Sequence, residues 1–219
     1  MTQRTSTQRT SSQRTSNQRA VAKLRTREAL LDAALVVMAQ HGYHGSRLDV
    51  IAKEAGHTTG AVYASFTGKD DLFAVLANRE TSRFVDALGD AALSLAGSVE
   101  DRTRRVISAY LAYLEARPEF FAIAFELSAR ARHDDGMRGV YAEQRALITA
   151  ALAMMLEEGA RASDRELVLP ARQIATVLEA VGEGIALRYL AEPEGITPSD
   201  FEGVLQVFAE ALTRPVSSR

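Results

Sequence analysis

Apolar residues recur at three- and four-residue intervals along most of the chain, the spacing of one face of an α-helix. Leu30, Leu31, Ala34, Leu35 and Met38 predict a helix over 26–40, with Gly42 as its stop. Leu48, Ile51, Ala52 and Ala55 form the next apolar face, opened by Ser46 as a cap and helped by Asp49 in the first turn. Gly56 ends that helix, and Thr58 reopens the chain as the N-cap of a second short one, anchored by Ala61, Val62 and Phe66. Gly68 then caps a longer helix from Lys69 to Leu88 or beyond, with Asp70 and Asp71 in its first turn. Its Leu72, Phe73, Val75 and Leu76 face the preceding helices, while Phe84, Val85 and Leu88 belong to a following layer.

The pattern stays helical towards the C-terminus. After an Ala/Gly/Ser break at 96–98, Val106, Ile107, Tyr110, Leu111 and Leu114 share a face, with Tyr113 beside it, until Pro118. The segment 119–132 is apolar almost all round through Phe120, Phe121, Ile123, Phe125 and Leu127, so it is expected to be buried on several sides. Glu126, in its middle, sits on a solvated strip or lines a cavity. Met137, Val140, Tyr141, Gln144, Leu147, Ile148, Ala151, Leu152 and Met155 predict a helix ending at Gly159, followed by a loop to Leu169. A further helix runs over 170–190 with Ile174, Val177, Leu178, Val181, Ile185 and Leu187. Gly182 and Gly184 inside it each cost about 1 kcal/mol against alanine, which close approach of another helix would offset. Pro193 and Pro198 bracket a turn before a last helix carrying Asp200, Phe201, Val204, Leu205 and Phe208.

Composition agrees: few aromatics, five prolines and a chain of 219 residues describe an all-α protein of one or two domains with a sizeable core. There is no cysteine, which excludes disulfides and thiolate metal sites. No apolar run reaches membrane-spanning length, and no signal-peptide core opens the chain, so a soluble cytoplasmic protein without membrane contact is expected. The net charge of −2 conceals a division: residues 1–77 carry ten Lys/Arg and six Asp/Glu, leaving sixteen and twenty-two for the remainder. A basic front and acidic rear separate a nucleic-acid contact face from a body that avoids it.

The first twenty residues repeat Q-R-T-S-x with no acid and no large hydrophobe, which predicts disorder. Arg4, Arg9, Arg14 and Arg19, then Lys23, Arg25 and Arg27, form a basic arm. Such an arm neutralises phosphates or enters a minor groove, or is simply a low-complexity extension.

Two brief helices joined by a glycine-containing turn are a helix-turn-helix, which lays its second helix in a DNA major groove. The run G-Y-H-G-S-R-L-D-V-I-A-K-E-A-G-H-T-T-G-A-V-Y-A-S-F-T-G-K-D-D-L resembles the DNA-binding region of TetR/AcrR-type transcriptional repressors. The matching positions are Gly42, Tyr43, Ser46, Ile51, Ala52, Ala55, Gly56, Thr58, Gly60, Tyr63, Phe66, Lys69 and Leu72; His57, Val50 and Gly68 depart from the pattern. The resemblance implies an N-terminal three-helix DNA-binding domain and a C-terminal helical domain for ligand binding and dimerisation. The domains are then 1–22 (arm), 23–77 (helix-turn-helix) and 78–213 (effector binding and dimerisation). It also implies that Tyr63 and Lys69 hold phosphates, with a packing aromatic as the lesser alternative for Tyr63. The candidate DNA contacts are Arg47, Thr58, Thr59, Gly60, Ala61, Tyr63, Ala64, Ser65 and Lys69. The second helix offers no Arg, Lys, Asn or Gln for bidentate base contacts, so base reading is thin and Arg47, Thr59 and the arm carry more of the affinity.

In the C-terminal domain, Tyr110, Tyr113, Phe121, Phe125, Glu126, Tyr141, Leu178 and Glu179 are the candidate lining of a small-molecule effector site; for each aromatic the alternative is plain core packing. That lining suits an apolar or amphipathic effector, cationic if the carboxylates face inward. The segment P-E-F-F-A-I-A-F-E-L-S-A-R-A-R-H-D-D-G-M-R looks like the choline-responsive subgroup. In the family the last two helices pair with their copies, so a homodimer on an operator is implied, with an intramolecular core as the alternative. No cofactor, no metal site and no catalysis is expected: only His133 lies outside the DNA-binding region, in a polar His-Asp-Asp corner without a nucleophile. A DNA-binding regulator gated by a protein partner is the other reading kept open.

Overall fold

The computed structural model describes residues 4–93, 99–192, 203–204, 207 and 211–215, and among these it contains eight helices and one pair of short strands. They divide into two units, Met1–Leu76 and Ala77–Arg219.

The first unit holds α1 (Arg4–Gly45), α2 (Leu48–Glu54), α3 (Thr59–Tyr63) and the opening of α4 (Lys69–Leu93). Leu30, Leu31, Ala34, Ile51, Val62, Leu72, Phe73 and Leu76 are almost wholly buried, so the predicted stripes meet in one core. The helical path of α1 breaks at Gly42 (φ 68°, ψ 169°), where the sequence placed its stop. Its beginning differs from expectation: the repeat is helical from Arg4, not unordered. A helix closes its backbone hydrogen bonds within the segment, and the Arg and Gln of the repeat offset the weaker propensity of its Ser and Thr, so a polar stretch can be helical. Low hydrophobicity alone does not decide the matter.

Ser46 is not the cap of α2. Its amide still bonds the carbonyls of Gly42 and Tyr43 at 3.2 and 3.3 Å, and its buried hydroxyl donates to Tyr43 O at 2.7 Å. The serine therefore finishes the turn before α2, and Arg47 becomes the N-cap without a side-chain bond. At the other end Gly56 takes φ 68°. His57 N–H reaches Ala52 O at 2.8 Å and Gly56 N–H reaches Lys53 O at 3.0 Å, the paired bonds of a Schellman stop. Thr58 caps α3 by accepting from Ala61 N–H at 3.3 Å. Gly68 O accepts from Leu72 N–H at 3.1 Å to start α4, while Asp71 accepts from Thr67 N–H at 2.8 Å.

The second unit comprises the remainder of α4 with α5 (Val99–Ala116), α6 (Pro118–Ala131), α7 (Asp135–Arg161), β1 (Arg165–Leu167), α8 (Ala171–Ala191) and β2 (Thr213–Pro215). α7 packs on α6 and α8, and α5 on α6. Phe84, Leu88, Leu111, Leu114, Phe120, Phe121, Ile148, Ile185 and Ala186 make its core. Glu80 is wholly buried there among three arginines: Arg79 Nε and Arg83 Nη1 lie 3.0 Å from Oε1, and Arg117 Nη2 lies 2.8 Å from Oε2.

α7 passes Gly159 and ends two residues later, because one glycine costs a helix only about 1 kcal/mol. The reversal falls instead at Asp164, whose φ is 50°. Within the expected loop, β1 pairs antiparallel with β2, and Arg165 donates to Thr213 Oγ1 and O at 2.8 Å each. Three residues are too few to show a period of two, so the sequence carried no sign of this pair. The break at 96–98 and the proposed last-helix residues Asp200, Phe201, Leu205 and Phe208, with Pro193 and Pro198, lie outside the described residues.

Candidate functional site

α3 is held from behind and left open in front. Val62 is buried, fixing the helix to the core, whereas Thr58, Gly60, Tyr63 and Ala64 are exposed and Thr59, Ala61 and Ser65 half-buried. Tyr63, at 62 % exposure, is not a packing aromatic in this chain. A Cβ at Gly60 would meet only Thr58 Oγ1 at 3.6 Å, so nothing within the unit demands glycine there. The missing side chain leaves the backbone accessible to a close-lying partner.

Two cations flank this helix in different states. Arg47 is exposed and forks onto Asp49 at 3.0 and 2.9 Å, and this hydrogen bond holds the Asp49 carboxyl below its ordinary pKa. An exposed pair of this kind is weak, so it holds Arg47 only loosely. Lys69 Nζ lies 4.3 Å from the centre of the Tyr43 ring, whose hydroxyl donates to Asp70 Oδ1 at 2.5 Å. Tyr43 is thus a buried support for Lys69. Arg27, which sequence reading grouped with the arm, instead stacks over Phe66 (4.4 Å) and donates to Ser65 O. It braces the exit of α3.

In the second unit a cavity of about 150 Å³ lies among α4–α8. Tyr110, Phe121, Phe125, Leu178 and Glu179 line it, joined by Phe84, Phe120, Arg145 and Glu183, which were not anticipated. Tyr110 donates its hydroxyl to Gly182 O at 2.6 Å, and its ring would lie 3.5 Å from a Cβ at that glycine. Gly182 therefore serves the approach of a ring, while Gly184 is exposed with open space around it. Burial, then the nearby Glu183 charge, pushes the Tyr110 phenol well up, so it acts as a neutral donor. A second cavity of about 170 Å³ shares Val106, Ile107, Leu152 and Leu178 with the first.

Three expected lining residues are elsewhere. Tyr113 edges Phe84 at 5.2 Å and Phe120 at 5.7 Å on the side of Glu80 and Arg117, one turn away along α5. Glu126 follows Phe125 by about 100° around α6, which takes it off the cavity wall. The Tyr141 ring lies 5.4 Å beneath Arg145, so it positions that guanidinium. Arg145 Nη1 sits 3.0 Å from Glu179 Oε1 and also pairs with Glu183; Thr149 donates to Glu179 Oε2 at 2.8 Å. Burial raises the Glu179 pKa, with Arg145 and Thr149 opposing. Oε1 makes the ion pair but no directed hydrogen bond. Glu183, four residues after Glu179 on an otherwise apolar face, is the sequence signal that would have found the rest of this cluster.

The His-Asp-Asp corner is architectural: Asp134 caps α7 by accepting from Met137 N–H at 3.1 Å, and Asp135 pairs with Arg138. Among the described residues no group of His, Asp and Glu has a metal-site arrangement, and no helix is long and apolar enough to cross a membrane.

Residues 30–76 match the family described as bacterial regulatory proteins, tetR family, and residues 99–214 match the BetI-type transcriptional repressor, C-terminal. Among curated relatives, the HTH-type transcriptional repressor AcnR of Corynebacterium efficiens is 22% identical over 88% of this chain and 95% of its own. The HTH-type nicotine-responsive transcriptional repressor HdnoR of Paenarthrobacter nicotinovorans is 27% identical over 79% and 88%. A regulator from Saccharomonospora viridis, solved in complex with choline, superposes with a TM-score of 0.71 at 19% identity, over 85% of this chain and 96% of that one.

Proposed function

Because this chain belongs to the TetR family of bacterial regulatory proteins and carries a BetI-type repressor C-terminal domain, we propose that it represses transcription as a homodimer on a palindromic operator and is released by a small-molecule effector. The observation that carries the reading is α3: anchored by Val62 inward, open at Gly60 and Tyr63 outward. Two such helices related by a two-fold axis enter successive major grooves about 34–36 Å apart. Arg47, Tyr63 and Lys69 contact phosphates, and Thr58, Thr59, Gly60, Ala61, Ala64 and Ser65 meet the base edges. The dimer forms through α8, whose exposed Val177, Ala180, Gly184, Leu187 and Ala191 make a small, apolar stripe, together with the segment beyond it, where Val204 and Val207 are 70% and 68% exposed.

The effector occupies the aromatic cavity. Its volume resembles that of an engineered cavity able to take a benzene-sized group. Two carboxylates against one guanidinium leave a negative excess beside Tyr110, Phe121 and Phe125, which supports an organic cation. The relative that is responsive to nicotine, a basic amine, and the neighbour solved with choline, a quaternary ammonium compound, point the same way. Tyr110, Phe121, Phe125, Leu178 and Glu179 hold the ligand; Tyr113, Glu126 and Tyr141 drop out of the contact set. α4 contributes Leu72 and Phe73 to one core and Phe84 and Leu88 to the other, so an effector preferring another setting of α4 weakens DNA binding. Coupling of about 1–3 kcal/mol, roughly 5- to 150-fold in affinity, is typical.

Selection of bound duplexes from a random pool tests this. Enriched inverted repeats are expected, and organic cations such as choline should loosen the selected complex. Enrichment without symmetry would remove the dimer, and a complex indifferent to every cation tried would remove that effector class.

A further inference from the structure

α1 begins far ahead of the core it serves. From Asn17 onward, where burial is described, its first wholly buried residue is Leu30, yet the helix starts at Arg4. From Arg4 to Arg25 the rise is about 32 Å, close to one turn of duplex. Over this stretch the sequence carries Arg4, Arg9, Arg14, Arg19, Lys23 and Arg25, and the first acid of the chain is Glu28. Residues 17–25 are exposed, and the apolar content is confined to Ala20, Val21, Ala22 and Leu24. Arg27, the next cation, is already committed to Phe66 and Ser65.

The five-residue repeat turns each successive arginine position by about 140°, so these positions do not share one side of the helix. A helix that docks on protein needs apolar residues at helical spacing, and the sequence from Arg4 to Arg19 contains none. A helix that docks on a membrane needs an apolar stripe to insert, and four scattered small or aliphatic residues do not supply it. What remains is a partner recognised by charge alone. Duplex DNA offers one negative charge per about 1.7 Å of axis, so a 32 Å rod lies alongside roughly nineteen phosphates. The rod is continuous with the helix that braces α3, within the same unit.

We propose that the helical arm formed by about the first six turns of α1 is a second, sequence-independent DNA contact, laid along the phosphates beside the operator. It rests on the reading of α3 as a DNA-binding helix. The arm supplies the affinity that a recognition helix without Arg, Lys, Asn or Gln does not, and it makes that affinity strongly dependent on ionic strength.

Binding of the full chain to a mixed-sequence duplex of about 40 base pairs, from about 50 to 200 mM KCl, tests the proposal. The same titration is made with Arg4, Arg9, Arg14 and Arg19 all changed to Gln, positions that precede the core. A charge-matched control changes the exposed Arg104, Arg132, Arg161 and Arg172 of the second unit to Gln. Each phosphate contact contributes about −0.9 to the slope of log affinity against log salt. The arm variant should flatten the slope by about two or more per chain and lose about tenfold at the middle of the range, with the control unchanged. Equal slopes in all three proteins would overturn the arm while leaving the operator reading intact. No duplex binding by the parent chain would overturn both. An arm that instead holds the chain on anionic phosphatidylserine vesicles, with the DNA slope unaltered, would show that its partner is a membrane.

Discussion

Glu179 concentrates the chemistry of the cavity in one carboxyl. Its pKa in the folded protein lies above its ordinary value, principally because burial disfavours the charge. Between the ordinary value of 4.5 and the raised one, the folded protein binds more protons than the unfolded chain, so stability falls as pH rises through that window. Denaturant titrations from below 4.5 to neutrality should therefore show the parent losing stability relative to Glu179→Gln, a loss complete once pH exceeds the folded pKa. Parallel profiles would mean that the carboxyl is as well solvated as a surface one. Glu80 is a buried carboxylate held by three arginines. Glu80→Gln breaks that network and should cost about 3–5 kcal/mol in chemical denaturation. At this scale the sequence was partly legible: Glu179 and Tyr110 stood out as polar groups on apolar faces. Arg145 did not, because its partners come from another helix, and Tyr113 misled because a shared helical face does not say how far along the axis a cavity extends.

The short helices owe their limits to single residues, and these were the most readable elements of all. Gly56 sits at φ 68° with two Schellman bonds around it, so Gly56→Ala places a Cβ in the left-handed region and should cost about 1–2 kcal/mol. Thr58→Ala removes the α3 cap and should cost about 1 kcal/mol in the same measurement. Tyr63→Phe offers the contrast: an exposed phenol is removed, stability should be unchanged, and duplex affinity should fall several-fold if the hydroxyl holds a phosphate. Capping residues are legible because they act on the backbone next to them. Ser46 shows the limit of that rule, since its hydroxyl was claimed by Tyr43 O three residues back rather than by the helix ahead. The helix over the arginine repeat escaped detection because nothing tertiary marks it, and β1 and β2 escaped because each was invisible without the other.

For the whole molecule, the expectation is a symmetric pair whose seam is the exposed stripe of α8. Gly184→Glu and Leu187→Glu place charge on that stripe without touching either core, so sedimentation should show single chains where the parent shows pairs. Affinity for an inverted repeat should then drop towards that for one half-site. A parent already single at micromolar concentration would remove the seam. The fold class was readable because helical periodicity is a local property, whereas assembly depends on surfaces that only the folded chain presents. The β1–β2 ladder has a consequence at the same scale. It fastens residue 165 to residue 215 with main-chain bonds, the hydrogen bonds of Arg165 to Thr213 and the ion pair of Arg214 with Glu166. In a chain without thiols, this clasp works like a crosslink that oxidants and reductants leave untouched, while strong guanidinium solutions would spring it open.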